Sequence, residues 1–162
     1  MEYQAFKQAK VFISSDIERE LSLVKASQSE QGILALEKAG VPAGGGNFLA
    51  AMGLLAYTEF FGDLKYKNTG HASCSTNFNS LFDDLGSDYQ SFRASREDVY
   101  KIFRCGLVHE YYIKKDCTIY MVEKENLAGI GKDADGKYYF AVETYYEALK
   151  SVVASLENDL YK

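Results

Sequence analysis

The stretch from Phe48 to Phe61 constrains this chain most. Its apolar residues (Phe48, Leu49, Met52, Leu54, Leu55, Tyr57, Phe60 and Phe61 among them) fall on nearly every side of a helix. A helix without a polar face has to be covered by other elements or by a second subunit. Gly44-Gly45-Gly46 precedes it, Asn47 is a good N-cap, and Gly62 is expected to end it. Gly53, inside the stretch, is expected to let another helix pack closely. With no apolar run of about 18 residues anywhere in the chain, no membrane span is expected.

The segments around it supply the cover. From Tyr3 to Lys25, Phe6, Ile13, Ile17, Leu21 and Val24 recur at helical spacing, although Ser14-Ser15-Asp16 offers a second helix start. A shorter helix, Gln31 to Ala39, should turn Ile33, Leu34 and Leu36 inward before Gly40 and the only proline, Pro42. Thr76 to Leu85 presents Phe78, Leu81, Phe82 and Leu85 on one face. Asp83-Asp84 lies on that helix, but adjacent residues diverge by about 100°, so the pair reads as a solvated face and not a metal site.

After Ile113 the period shortens. Residues 117–122 and 137–142 are rich in β-formers, and Asp133-Ala134-Asp135-Gly136 supplies turn chemistry, with residues 127–131 as a candidate third strand. Thr144 can then cap a last helix to about Leu160. The reading is one mainly α domain over residues 1–162: an antiparallel helical bundle with a small β-hairpin or meander inserted at about 117–142. At 162 residues and 47% hydrophobic, the chain can bury a real core.

Composition narrows the functions. A net charge of −5 argues against non-specific nucleic-acid binding, which draws its affinity from neutralising phosphates. Cys74, Cys105 and Cys117 are odd in number and unevenly spaced, and the first residues lack a secretory pattern, so reduced thiols in the cytoplasm are expected. No Gly-Lys-Ser/Thr follows the glycine run, so it reads as a capped connection and not a phosphate loop. His71 sits alone in a polar loop. Nothing in the pattern calls for a metal or a cofactor.

The remaining chemistry concentrates at Arg104-Cys105-Gly106-Leu107-Val108-His109-Glu110-Tyr111. Val99, Ile102, Phe103, Leu107 and Ile113 place this stretch on a helix, with Ser95-Arg96-Glu97-Asp98 resembling a capping box before it. Arg104 and His109 are then roughly 140° apart around the axis and about 7.5 Å apart along it. Apolar residues on several sides of the helix suggest that it also forms a homodimer interface.

Arg-x4-His-x-Tyr preceded by Ile102-Phe103 resembles the signature of HEPN domains, and most closely their toxin branch paired with small nucleotidyltransferase antitoxins. The resemblance implies a dimeric helical bundle with two motifs facing one cleft, and a metal-independent endoribonuclease with Arg104 and His109 as catalytic residues. It also implies that Tyr111 contacts substrate or receives a nucleotide from the antitoxin. The family often has a polar residue after the arginine, where Cys105 stands here. Three other readings stay open. In one, Arg104 is structural and paired with Glu97 or Glu110; in another, the chain is a catalytically inactive dimeric module binding a nucleotide or protein partner; in the third, Cys105 is a redox element.

Overall fold

The third helix organises the fold. In the computed structural model, which describes residues 1–44, 46–66, 73–95, 97–110, 117–124 and 127–162, α1 (Tyr3–Ala26) and α2 (Glu30–Lys38) lead to α3 (Asn47–Tyr66). Packed against α3 are α4 (Cys74–Asp84), α7 (Val142–Tyr161) and α1. Ala51, Leu54, Leu55 and Phe61 are fully covered, while Phe48 and Leu49 at its start stay exposed. Its burial is therefore deep in the middle and incomplete at the N-terminus.

Gly62 does not end α3, which runs four residues further. Glycine is needed there for contact: a Cβ on Gly62 would lie 2.1 Å from the Asn77 carbonyl oxygen of α4. Gly53 has no such neighbour, since a Cβ there meets only Tyr57 of its own helix, at 3.4 Å. The glycine that lets two helices touch is the one that the sequence pattern reads as a stop.

Several caps also differ from expectation. The first helix continues through Ser14-Ser15-Asp16, because Phe6, Ile17 and Leu21 bury one stripe on both sides of that point. On α2, Leu34 points outward and no residue is fully buried. Asn47 already lies within α3. The Gly44 amide donates to Ser27 Oγ at 2.6 Å and the Gly46 amide to Glu20 Oε2 at 2.9 Å, so α1 and its C-cap residue already satisfy these amides.

Ser95 does not open the central helix. It closes α5 (Ser87–Ala94), its hydroxyl donating to the Phe92 carbonyl. Asp98 does the capping, accepting from the Lys101 amide at 3.0 Å. From there the chain forms a π-helical segment, Tyr100–Cys105, and then α6, Gly106–Glu110. Val99, Ile102, Phe103 and Leu107 are all buried within this chain, and Val108 alone of that group's apolar neighbours is exposed. These four, which helped suggest a subunit interface, are satisfied by the protomer's own core. Ile113 and Tyr111 lie outside the described residues, as does His71.

The sheet has three strands, β1 (Cys117–Tyr120), β2 (Ile130–Lys132) and β3 (Tyr138–Ala141), in the order β1-β3-β2. Only β2 and β3 form a hairpin; β1 joins β3 in parallel, so the sheet is not a meander. Asp133 builds the turn by accepting the Asp135 and Lys137 amides on its carboxylate, and Gly136 takes the left-handed conformation (φ 77°) that glycine adopts without cost. The central strand β3 is buried along its length and runs directly into α7. That continuity removes the capping role expected of Thr144, which falls inside the first turn of α7.

Tyr145 joins the layers. Its ring packs on Phe140 of β3 and Tyr89 of α5, and its hydroxyl meets Thr58 of α3 at 2.8 Å. Glu143 makes a second tie: its carboxylate pairs with Lys25 of α1 and accepts the Glu123 amide at 2.8 Å. Burial raises the Glu143 pKa, but the Lys25 ammonium and the Glu123 amide outweigh it and hold the carboxyl below its ordinary range. A depressed folded pKa contributes stability above the unfolded carboxylate value, near 4.3, which is lost as pH falls through the folded value. Glu143→Gln is therefore expected to flatten the acid limb of stability against pH below about pH 5. Thermal melts of both proteins between neutral and acid pH check this, and an unchanged acid limb would remove the linkage.

Candidate active site

Arg104 reaches its position through a local irregularity. The π-helical segment carries it, and such segments are rare, often marking functional sites. Its side chain turns toward α3, where Nε lies 2.7 Å from Glu59 Oε2; each side chain is 17% exposed. The N–H points off the line to that oxygen, so the contact is a charge pair more than a directed hydrogen bond. The guanidinium also lies over the Tyr100 ring, 5.6 Å from its centre.

Glu59 is the residue that the sequence pattern did not single out. It is the only charged residue between Phe48 and Phe61, and a charge on so apolar a helix needs a partner. That signal was available. Glu97, one of the alternative partners expected for Arg104, is otherwise placed: it accepts from Tyr138 Oη at 2.6 Å and pairs with Lys132.

Two further groups share this microenvironment. Burial, then the Glu59 charge, push the Tyr100 phenol up to about 12, so it stays protonated at neutral pH. Cys74 is exposed at the start of α4, and the nearby Glu59 carboxylate raises its thiol pKa above the ordinary value. A thiol held protonated is a poor nucleophile. Cys105 is half-buried beside Tyr100 in a groove of ≈ 600 Å³ that also carries Asn79, Arg93 and Lys101. Arg93 is occupied by the Asp83 carboxylate.

His109 lies elsewhere. It is exposed near the end of α6 and makes no hydrogen bond or ion pair among the described residues. The wider π pitch ends at Cys105, so it does not bring positions 104 and 109 onto one face. One protomer thus holds Arg104 half-buried against Glu59 and offers His109 to solvent nearby in sequence, without joining them. Tyr111, the third candidate, is outside the described residues.

Among the described residues there is no group of three His, Cys, Asp or Glu side chains that could hold a metal ion, and no helix long and apolar enough to cross a membrane. Compared with protein-family models, curated proteins and solved structures, the chain matches none.

Proposed function

We propose that this chain is a HEPN-like, metal-independent endoribonuclease that cleaves RNA by transesterification at a site assembled from Arg104 and His109 in a homodimer. In this reading it is the toxin of a pair whose antitoxin is a small nucleotidyltransferase, with Tyr111 as the residue that contacts RNA or accepts a nucleotide. The observation that carries the proposal is the setting of Arg104. It is a half-buried arginine in a π-helical segment, oriented by Glu59 and Tyr100, ahead of a solvent-facing imidazole that has no partner among the described residues.

The chemistry follows from those groups. A neutral His109 accepts the proton of a 2′-hydroxyl as that oxygen attacks the adjacent phosphorus. A protonated His109, from the second protomer, gives its proton to the departing 5′-oxygen. Arg104 has five donors, of which Nε faces Glu59, so the remaining donors can hold the phosphate and its added transition-state charge. Glu59 positions that guanidinium. Neither step requires a metal.

Arg104→Lys is expected to slow cleavage about tenfold to hundredfold, because lysine keeps the charge but cannot make the two-pronged phosphate contact. Cleavage rates on one RNA with both proteins measure this; an unimpaired lysine variant would end the phosphate-holding role. One observation favours a second reading, a catalytically inactive dimeric module that binds a nucleotide or protein partner. The pairing of Arg104 with Glu59 also satisfies a purely structural arginine. Total RNA incubated with the purified protein in chelator, beside sedimentation of the same sample, separates the two. Cleavage by a dimer supports the nuclease, and an intact RNA pool with a folded dimer supports the binding module.

A further inference from the structure

An apolar slot opens between α1, α3 and α7, away from Arg104 and His109. Its volume is ≈ 230 Å³, with Ile13, Phe61, Leu149 and Val153 as walls and Lys10 and Lys150 also in the lining. Leu149 and Val153 stand one turn apart on α7, so they form one continuous wall. Phe61, Leu149 and Val153 belong to the buried core, so the floor of the slot reaches it. Lysine suits such a border, because its stem covers apolar surface while its ammonium stays in water.

The charged groups in the slot's own lining are cationic, and carboxylates stand just outside it. The charged residues in its lining are the two lysines, and the carboxylates that pair with them, Glu157 and Glu147, lie outside it. The Lys150–Glu147 pair is at the surface, 40% and 61% exposed, so an exchange of partner there costs little, whereas Glu157 beside Lys10 is half-buried. Each ammonium already accommodates a carboxylate. A ligand carboxylate can take the place of Glu147 at Lys150, an exchange that a cation or a neutral head group cannot make.

We propose that this slot binds a straight-chain acyl carboxylate of about eight carbons, its chain against Phe61, Leu149 and Val153 and its head between Lys10 and Lys150. A methylene needs about the room of a water molecule, ~30 Å³, so the slot holds roughly eight such groups. The inference does not depend on the nuclease reading.

Titration of the intact protein with hexanoate, octanoate, decanoate and 1-octanol, followed by calorimetry and by the methyl resonances of Leu149 and Val153, tests it. Each buried methylene is worth about fourfold in affinity, from about 0.8 kcal/mol, so octanoate should bind about fifteenfold more tightly than hexanoate. Decanoate should gain less than that again, because the slot is full. Lys150→Gln should weaken octanoate several-fold and leave 1-octanol unchanged. Ala154→Phe places a ring at the exposed rim and should block both ligands without touching the core. Three results would each overturn the proposal: no saturable binding of octanoate up to about 10 mM, equal binding of 1-octanol and octanoate, or octanoate binding that survives Ala154→Phe.

Discussion

Replacing His109 with alanine is expected to lower RNA cleavage about 10²- to 10⁴-fold, the range that a positioned acid or base contributes. The same change should leave the fold intact. His109 is exposed and makes no hydrogen bond or ion pair among the described residues, so its loss falls within the roughly 0.5 kcal/mol typical of surface substitutions. The combination is diagnostic. A structural residue would lose stability along with activity, whereas a catalytic one loses only the rate. Initial cleavage rates and melting temperatures of the two proteins provide both readouts. A variant that cleaves at the full rate would remove His109 from the chemistry.

Gly62→Ala is expected to have the largest effect on stability, a loss of about 3 kcal/mol, at the top of the usual overpacking range. The new Cβ would sit 2.1 Å from the Asn77 carbonyl oxygen and 2.6 Å from its carbon, both main-chain atoms that no rotamer change can move. Moving α4 away would strain the Asn77–Asp63 hydrogen bond and loosen Phe78 and Leu81 in the core. For a chain of this length the melting temperature should fall by roughly 6–12 °C. Gly53→Ala on the same helix is the control. Its Cβ would meet Tyr57 at an ordinary 3.4 Å, so the change should be neutral or gain up to about 1 kcal/mol of helix propensity. Equal losses from both substitutions would show that α3 and α4 are not in the contact described.

These two glycines show what a single sequence conceals. Composition made Phe48–Phe61 the centre of a helical protein, and so it is, with Leu54, Leu55 and Phe61 fully covered. The same letters could not say whether a glycine stops a helix or admits a neighbour, because that depends on how α4, the next helix, packs back on α3. Caps failed for a similar reason: Ser95, Asn47 and Thr144 are all chemically able to cap, and tertiary packing placed the ends elsewhere. The Asp133–Gly136 turn was legible, since turn chemistry is local, and the third strand only in part, Ile130–Lys132 overlapping the expected 127–131 at two residues. The parallel pairing of β1 with β3 was not, because register between distant strands leaves no local mark.

At the candidate site, the helical setting of Arg104 and His109 was legible, and the π pitch was not. Periodicity counts apolar residues and cannot detect one widened turn. Val99, Ile102, Phe103 and Leu107 suggested an interface because their angles were spread around an ideal helix. The wider turn and the neighbouring elements bury them all in one protomer. A homodimer accordingly rests on the chemistry, which needs two imidazoles, and not on an uncovered apolar face. Glu59 carried its own signal as the one charge on α3's apolar stretch, and it identifies the partner that holds Arg104.

The most direct measurement is the end group left on cleaved RNA in the presence of chelator. Attack by the 2′-oxygen of the RNA itself leaves a 2′,3′-cyclic phosphate on one fragment and a 5′-hydroxyl on the other, and a 2′-deoxy substitution next to the scissile phosphate stops the reaction. Both results are expected with the wild-type protein, and neither with His109→Ala. Cleavage that continues at the 2′-deoxy position, or that appears only when a divalent metal is added, would contradict this mechanism.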